Sequence, residues 1–300
     1  MKQILFEGAC TALVTPFGAD GSINFERFDR LLERQIAAGV PAVVVAGTTG
    51  EAATLTREEK LALFARAVKT SGGRLKIIAG TGSNDTARAA ALSRDARACG
   101  VDGLLCVTPY YNKCTQEGLR QHYLTIAETA QLPVILYNVP SRTAVRLLPE
   151  TCAALARHPL IAGLKEAEAD MGRLGKLRTL CGADFPIYCG CDEAIVPFCS
   201  LGARGIVSVW SNVCPEAAVR LCALCSAGRF GEAAALQLQH QPLIEALFAE
   251  VNPIPVKEAL RLLGFDCGIC RLPLTPCSAQ LSRKLALLLA GSEAGRALNT

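Results

Sequence analysis

Short runs rich in Val, Ile and Leu recur eight times along this chain, at residues 10–16, 42–47, 76–80, 103–108, 134–139, 161–166, 186–190 and 205–210, with helical patterns between them. Continuous apolar runs of this length read as strands buried on both faces, and strands buried in that way lie parallel with helices as their connections. The helical stretches carry start signals: Asn24 before 25–38, Thr56 with Glu59 three residues on, Asn84 before 86–99 and Thr115 before 117–129. Gly39 and Gly100 close two of them. Eight strand–helix units of roughly 28 residues each close most naturally into an α/β fold, the (β/α)8 TIM barrel. An open doubly wound sheet is the competing architecture. It ordinarily brings a dinucleotide fingerprint, and the nearest candidate, Gly80-Thr81-Gly82, has Asp85 where the third glycine belongs.

After Gly228 the strand pattern stops, and helical patterns follow at 230–250, 255–263 and 278–290, punctuated by Pro253, Pro255, Pro273 and Pro276. The expected organisation is therefore a catalytic barrel over 1–228 and a helical C-terminal extension over 229–300.

Charge and composition narrow the function. Lys and Arg number 31 against 27 Asp and Glu, a net charge of +4, and the longest basic run is Arg283-Lys284, which argues against a nucleic-acid groove. No apolar stretch approaches the roughly 18–20 residues that span a bilayer, and Glu7 interrupts Ile4-Leu5-Phe6 too early for a signal peptide, so a cytoplasmic protein is expected. The 15 cysteines are odd in number and several sit in apolar runs (Cys10, Cys99, Cys106, Cys189), as reduced thiols do. Two Cys-x-x-Cys pairs, Cys222/Cys225 and Cys267/Cys270, are separated by 41 residues, beyond usual structural-zinc spacing, and with three histidines no metal site is expected.

In a barrel the chemistry lies where strands run into the following loops. The polar residues there are Thr48, Thr49 and Glu51 after the second run, Tyr110 and Tyr111 after the fourth, Tyr137, Asn138 and Arg142 at the fifth, and Lys165 with Glu166 at the sixth. Lys165 is the sharpest of them. An amine at the end of the apolar run Ile161-Ala-Gly-Leu-Lys165 is either paired with a carboxylate such as Glu166, or neutral and nucleophilic, since burial disfavours the charged form. Tyr137, one unit earlier, is either a packed strand tyrosine or a proton donor beside that amine. Thr48 and Thr49, bounded by glycines, form either a simple turn or a carboxylate cradle; Arg142 is either a surface cation or a carboxylate fork.

Five segments taken together resemble the dihydrodipicolinate synthase family in order and spacing: Gly47-Thr-Thr-Gly-Glu51, Val107-Thr-Pro-Tyr-Tyr-Asn112, Tyr137-Asn-Val-Pro-Ser-Arg142, Gly163-Leu-Lys-Glu-Ala167 and Asn252-Pro-Ile-Pro-Val-Lys257. The match runs from about residue 5 to Arg271-Leu-Pro-Leu-Thr-Pro276. The resemblance implies a lyase that condenses pyruvate with L-aspartate 4-semialdehyde through a lysine Schiff base, with no cofactor or metal. It implies Lys165 as the imine-forming residue and Tyr137, Thr49 and Tyr111 as a proton relay, Tyr111 reaching across a tight dimer interface. It further implies Thr48 and Thr49 on the pyruvate end, Gly190 and Val207 along the pocket, Arg142 on the second substrate's carboxylate, and a homotetramer of two tight dimers. N-acetylneuraminate lyases, which share the barrel, the lysine and the tyrosine, are the nearest alternative; they typically have Ser-Thr where this chain has Thr48-Thr49. A barrel that only binds ligand is the non-catalytic alternative.

The chain departs from lysine-inhibited members of that family at Arg57 and Arg88, which align with a His or aromatic residue and a Glu, while Asn84 and Tyr110 are retained. Two cations repel an incoming ammonium, so feedback by L-lysine is expected to be weak or absent.

Overall fold

The computed structural model describes residues 4–290. Eight strands, β1 (Gly8–Ala12), β2 (Ala42–Val45), β3 (Lys76–Gly80), β4 (Gly103–Val107), β5 (Val134–Asn138), β6 (Ile161–Glu166), β7 (Ile187–Cys189) and β8 (Gly205–Ser208), pair in sequence order. All pairings are parallel and β8 returns to β1, closing the ring of a (β/α)8 TIM barrel. Each expected run overlaps one strand, β3 and β6 fall on the expected bounds, and β1 begins two residues before its run, at Gly8.

Most strands end a residue or more before their apolar runs do, and at β1 and β8 the reasons differ. β1 stops at Ala12; after Leu13 N–H donates to the Val44 carbonyl, Val14 and Phe17 pack into the outer core instead of extending the ladder. β8 stops at Ser208 because the amides of Val209 and Trp210, which would have continued it, both donate to the Asp192 carboxylate at 2.9 and 2.8 Å.

Alternation sorts the side chains. Cys10, Val44, Ile78, Leu105, Tyr137, Tyr188 and Val207 point inward and form a buried cluster separate from the larger one between strands and helices. The end of the barrel opposite the site is stoppered by Tyr188, whose ring stacks on Phe6 at 4.2 Å and whose hydroxyl donates to the Phe6 carbonyl. At the β8–β1 closure any side chain on Gly205 would run into the Gly8 backbone, so glycine sets how tightly the ring shuts.

The helix starts follow their caps. Asn24 accepts from Arg27 N–H ahead of Phe25–Ala37, Thr56 and Glu59 form the reciprocal capping box of Arg57–Ser71, and Thr115 caps Gln116–Ala130. The expected Asn84 cap is corrected to Asp85, which takes the amides of Ala87 and Arg88 ahead of Thr86–Ala98. An anion one residue nearer the helix is the better partner for its positive end, and the Asn84 carbonyl is engaged by the Asn112 side chain.

Beyond β8 and the helix Pro215–Ser226, the chain forms the helices Phe230–Leu247, Ile254–Leu262 and Ala279–Ala290. Among the described residues no helix is long and apolar enough to cross a membrane, and no group of three or more His, Cys, Asp or Glu could hold a metal ion. Cys222 and Cys225 lie buried on the Pro215–Ser226 helix.

Candidate active site

β5 and β6 set the centre of the site, because their register places Tyr137 and Lys165 directly opposite each other, both facing inward. The Lys165 side chain is nearly buried, with the residue 6% exposed, and its Nζ lies 4.2 Å from the Tyr137 ring centroid. Among the described residues no carboxylate comes within ion-pair distance of it. The competing reading, a Lys165–Glu166 pair, fails on strand alternation: Glu166 faces the helices, where it meets Arg173 at 3.0 Å and accepts from Asn138 Nδ2 at 2.7 Å. Arg173 also donates to the Leu147 carbonyl at 2.6 Å, so this buried pair ties β6 to the segments on both its sides. Burial pushes the Glu166 carboxyl up, opposed by Arg173 and its hydrogen bonds.

Around the amine the packing is close. A Cβ at Gly190, just beyond β7, would sit 2.9 Å from Lys165 Cε and 3.0 Å from the Glu166 carbonyl oxygen, so glycine leaves the space the lysine stem occupies. Cys10 lies on the same inner face, and burial raises its thiol well above the usual range, keeping it neutral near the lysine. Asp192 is fully enclosed; desolvation raises its carboxyl, while the Trp210 and Val209 amides and Lys165 pull the other way.

Above this lies a cavity of about 340 Å³ whose walls include Thr48, Tyr110, Tyr137, Val139, Arg142 and Asn252. Thr48 and Thr49 divide here. Thr48 borders the cavity, whereas Thr49 is buried and its Oγ1 accepts from Asn252 Nδ2 at 3.0 Å. Below them Glu51 is clamped by Lys257 Nζ at 2.6 Å and by Arg271 N–H at 2.9 Å. Arg142 lies on a single helical turn, Pro140–Thr143, instead of the expected loop, and makes no ion pair among the described residues. Val207 belongs to the inner cluster, opposite Cys10 in the β8–β1 register.

The fold thus brings Lys165, Tyr137 and Gly190 into contact and gathers Thr48, Tyr137 and Arg142 around one cavity. Lys165, Thr49, Gly190 and Val207 are not part of that cavity's wall. Tyr111 is separate from the group: it is 90% exposed, on a backbone with φ +72°, and does not border the cavity. Sequence reasoning passed over Asp192, Asn252 and Lys60. Asp192 follows β7 as a polar strand-end residue and was open to the same rule that singled out Lys165. Asn252 carries no local signal beyond its place in the segment Asn252-Pro-Ile-Pro-Val-Lys257. Lys60 borders the cavity without an ion pair among the described residues, and burial lowers its amine.

The family model described as the dihydrodipicolinate synthetase family matches residues 5–291. The chain is 47% identical over 281 residues to the 4-hydroxy-tetrahydrodipicolinate synthase of Exiguobacterium sp. (strain AT1b), covering 94% of this chain and 96% of the relative. Among solved structures it is similar to the chloride-inhibited dihydrodipicolinate synthase from Acinetobacter baumannii complexed with pyruvate, at 42% identity and TM-score 0.93, covering 96% and 99% of the two chains. It is also similar to the enzyme from Cyanidioschyzon merolae with lysine bound, at 38% identity and TM-score 0.94, covering 98% and 99%.

Proposed function

From the premise that this chain belongs to the dihydrodipicolinate synthetase family, we propose that Lys165 is the amine on which its reaction is built. The protein is a lyase that condenses pyruvate with L-aspartate 4-semialdehyde to 4-hydroxy-tetrahydrodipicolinate, in the biosynthesis of diaminopimelate and lysine. The observation that carries the assignment is a buried amine with no carboxylate within ion-pair distance among the described residues, laid against the ring of Tyr137.

Lys165 Nζ adds to the keto carbon of pyruvate, and loss of water leaves a protonated imine. That cation accepts the electrons of a methyl C–H bond as its proton departs, giving an enamine whose carbon adds to the aldehyde. The amine of the second substrate then closes the ring and displaces Lys165, restoring the enzyme. Tyr137 is the residue placed to give and take protons at the addition and dehydration steps. The resemblance gives the neighbouring relay hydroxyl to Thr49, but Thr49 Oγ1 already accepts from Asn252, and Thr48 is the threonine that shares the cavity wall with Tyr137. We assign the relay to Thr48. The Asn252 bond leaves the Thr49 hydroxyl proton free to donate to the pyruvate carboxylate, with Gly190 and Val207 packed about the lysine.

Arg142, in the cavity wall and without an ion pair among the described residues, takes the carboxylate of the semialdehyde. Tyr111, exposed on its own subunit, completes the relay in a neighbouring copy, which supports a tight dimer and, by pairing of dimers, a tetramer working in the cytoplasm. Residues 1–228 form the catalytic barrel in this reading and 229–300 the helical extension, whose last residues lie outside those described. Borohydride reduction in the presence of pyruvate tests the premise: the expected product is a stable adduct on Lys165. Absence of the adduct, or its attachment elsewhere, removes the mechanism. Lys165→Ala is expected to stay folded and lose several orders of magnitude in turnover.

A further inference from the structure

The helices Pro149–Leu155 and Met171–Cys181 flank β6, and they face each other through two thiols: Cys181 Sγ lies 3.8 Å from Cys152 Sγ. We infer that Cys152 and Cys181 form a reversible oxidation site, a dithiol that hydrogen peroxide converts into a disulfide stapling these two helices. Closing the bond requires the sulfurs to approach to about 2.05 Å, a movement of under roughly 2 Å. Cys181 is where that movement is easiest, since it ends its helix and is followed by Gly182 at φ +84° and by exposed Ala183 and Asp184.

The two sulfurs are unequal. Cys152 is fully buried, and its thiol is raised by its partner and by desolvation. Cys181 is half-buried, and its thiol is lowered by the hydrogen bond with Cys152 and by Arg178 nearby. Peroxide reaches half-buried Cys181 at its helix end before fully buried Cys152, so Cys181 is the nucleophile and Cys152 the resolving thiol. The Cys181 thiolate attacks one peroxide oxygen, the O–O bond breaks, and hydroxide leaves as water, giving a sulfenic acid. The Cys152 sulfur then attacks the Cys181 sulfur, the S–O bond breaks and a second water departs. Sulfur loses two electrons in all, peroxide gains them, and the protein is lighter by two hydrogens.

The bond would enclose residues 153–180, which include Lys165. Arg173 already joins the same parts of the chain through Glu166 and the Leu147 carbonyl, so the staple reinforces an existing arrangement and leaves the active amine in place. The expected effect is stabilisation with turnover retained.

The test treats the full-length protein with graded hydrogen peroxide, alkylates the remaining thiols after unfolding and maps the peptides. The expected result is a Cys152–Cys181 cross-link that dithiothreitol reverses, with a thermal midpoint several degrees higher and an unchanged kcat. Both Cys152→Ser and Cys181→Ser should abolish the rise in midpoint; should the buried replacement fail to fold, the half-exposed Cys181→Ser decides alone. Direct passage of Cys181 to sulfinic acid, a Cys152 that stays alkylatable throughout, or cross-linking confined to Cys199 and Cys225, two other thiols joined by a side-chain hydrogen bond, overturns the inference.

Discussion

Gly190 and Lys165 depend on each other's dimensions, because the lysine stem passes where a Cβ would be. Gly190→Ala is expected to displace the amine while the barrel stays folded, and a misplacement of that kind costs about 10²-fold in rate. Steady-state turnover and the rate of borohydride trapping should fall together; an unchanged trapping rate would separate the glycine from the amine. The two threonines make a sharper comparison. Thr48→Val is expected to lower kcat through the relay, and Thr49→Val to raise the KM for pyruvate, so the reverse pattern would exchange their roles. At this scale the sequence singled out Lys165 and Tyr137 as polar interruptions of apolar runs, and the fold brings the two together. It did not reveal which threonine faces the cavity, since that is decided by Asn252, a residue 203 positions away in the chain.

Elements are held by interactions that local pattern only half discloses. Arg173 and Glu166 are paired and almost wholly buried, 7% and 0% exposed at the side chain, so Arg173→Leu would leave an uncompensated carboxylate against β6. A loss of about 3–5 kcal/mol in denaturant unfolding is expected. His122, on the Gln116–Ala130 helix, has its Nδ1 2.8 Å from the Thr86 hydroxyl on the preceding helix, and desolvation lowers its pKa to about 4. The unfolded chain takes up a proton there near the usual pKa of 6.5, and the folded chain only near 4, so acid favours unfolding. Stability should be intact above pH 6.5 and decline as the pH falls toward 4, by up to about 3 kcal/mol from this group. Replacing His122 with Gln should flatten that part of the stability profile measured by urea unfolding. The eight strands and the capped helices were legible because apolar runs and cap residues are local signals, whereas the short turn Pro140–Thr143 and the helices Pro149–Leu155 and Ile195–Ser200 carry no side-chain cap and were not singled out. Ends were less legible: β8 stops where Asp192 captures its amides, an event encoded on another strand's loop.

For the whole molecule, closure and regulation are at issue. Gly205→Ala would force the β8–β1 backbones apart, and expression as inclusion bodies or a sharply lowered thermal midpoint is the expected outcome. Of the cations Arg57, Arg88 and Lys60, only Lys60 shares a cavity wall with Tyr110. Arg57 is held by Asp95 at 2.5 Å, Arg88 lies 3.3 Å from Asp85, and Lys60 borders the cavity. A relative from Cyanidioschyzon merolae is known with lysine bound, but an ammonium arriving beside Tyr110 in this chain meets Lys60, which has no ion pair among the described residues. Millimolar L-lysine is therefore expected to leave the rate in a coupled assay nearly unchanged, and potent inhibition would refute this. The ring of eight could be counted from the sequence; the return of the late helices to its mouth could not, because helical periodicity says nothing about where a helix docks.

That return has a practical side. Asn252, Lys257 and Arg271 each reach back to the Thr49–Glu51 turn, so the final quarter of the chain acts as the keystone of the catalytic rim. Anyone seeking a minimal enzyme by trimming from the C-terminus should find no graded decline: shortening past Arg271 removes a brace under the Thr49–Glu51 turn, and a barrel cut at residue 228 would be a vessel without its lip.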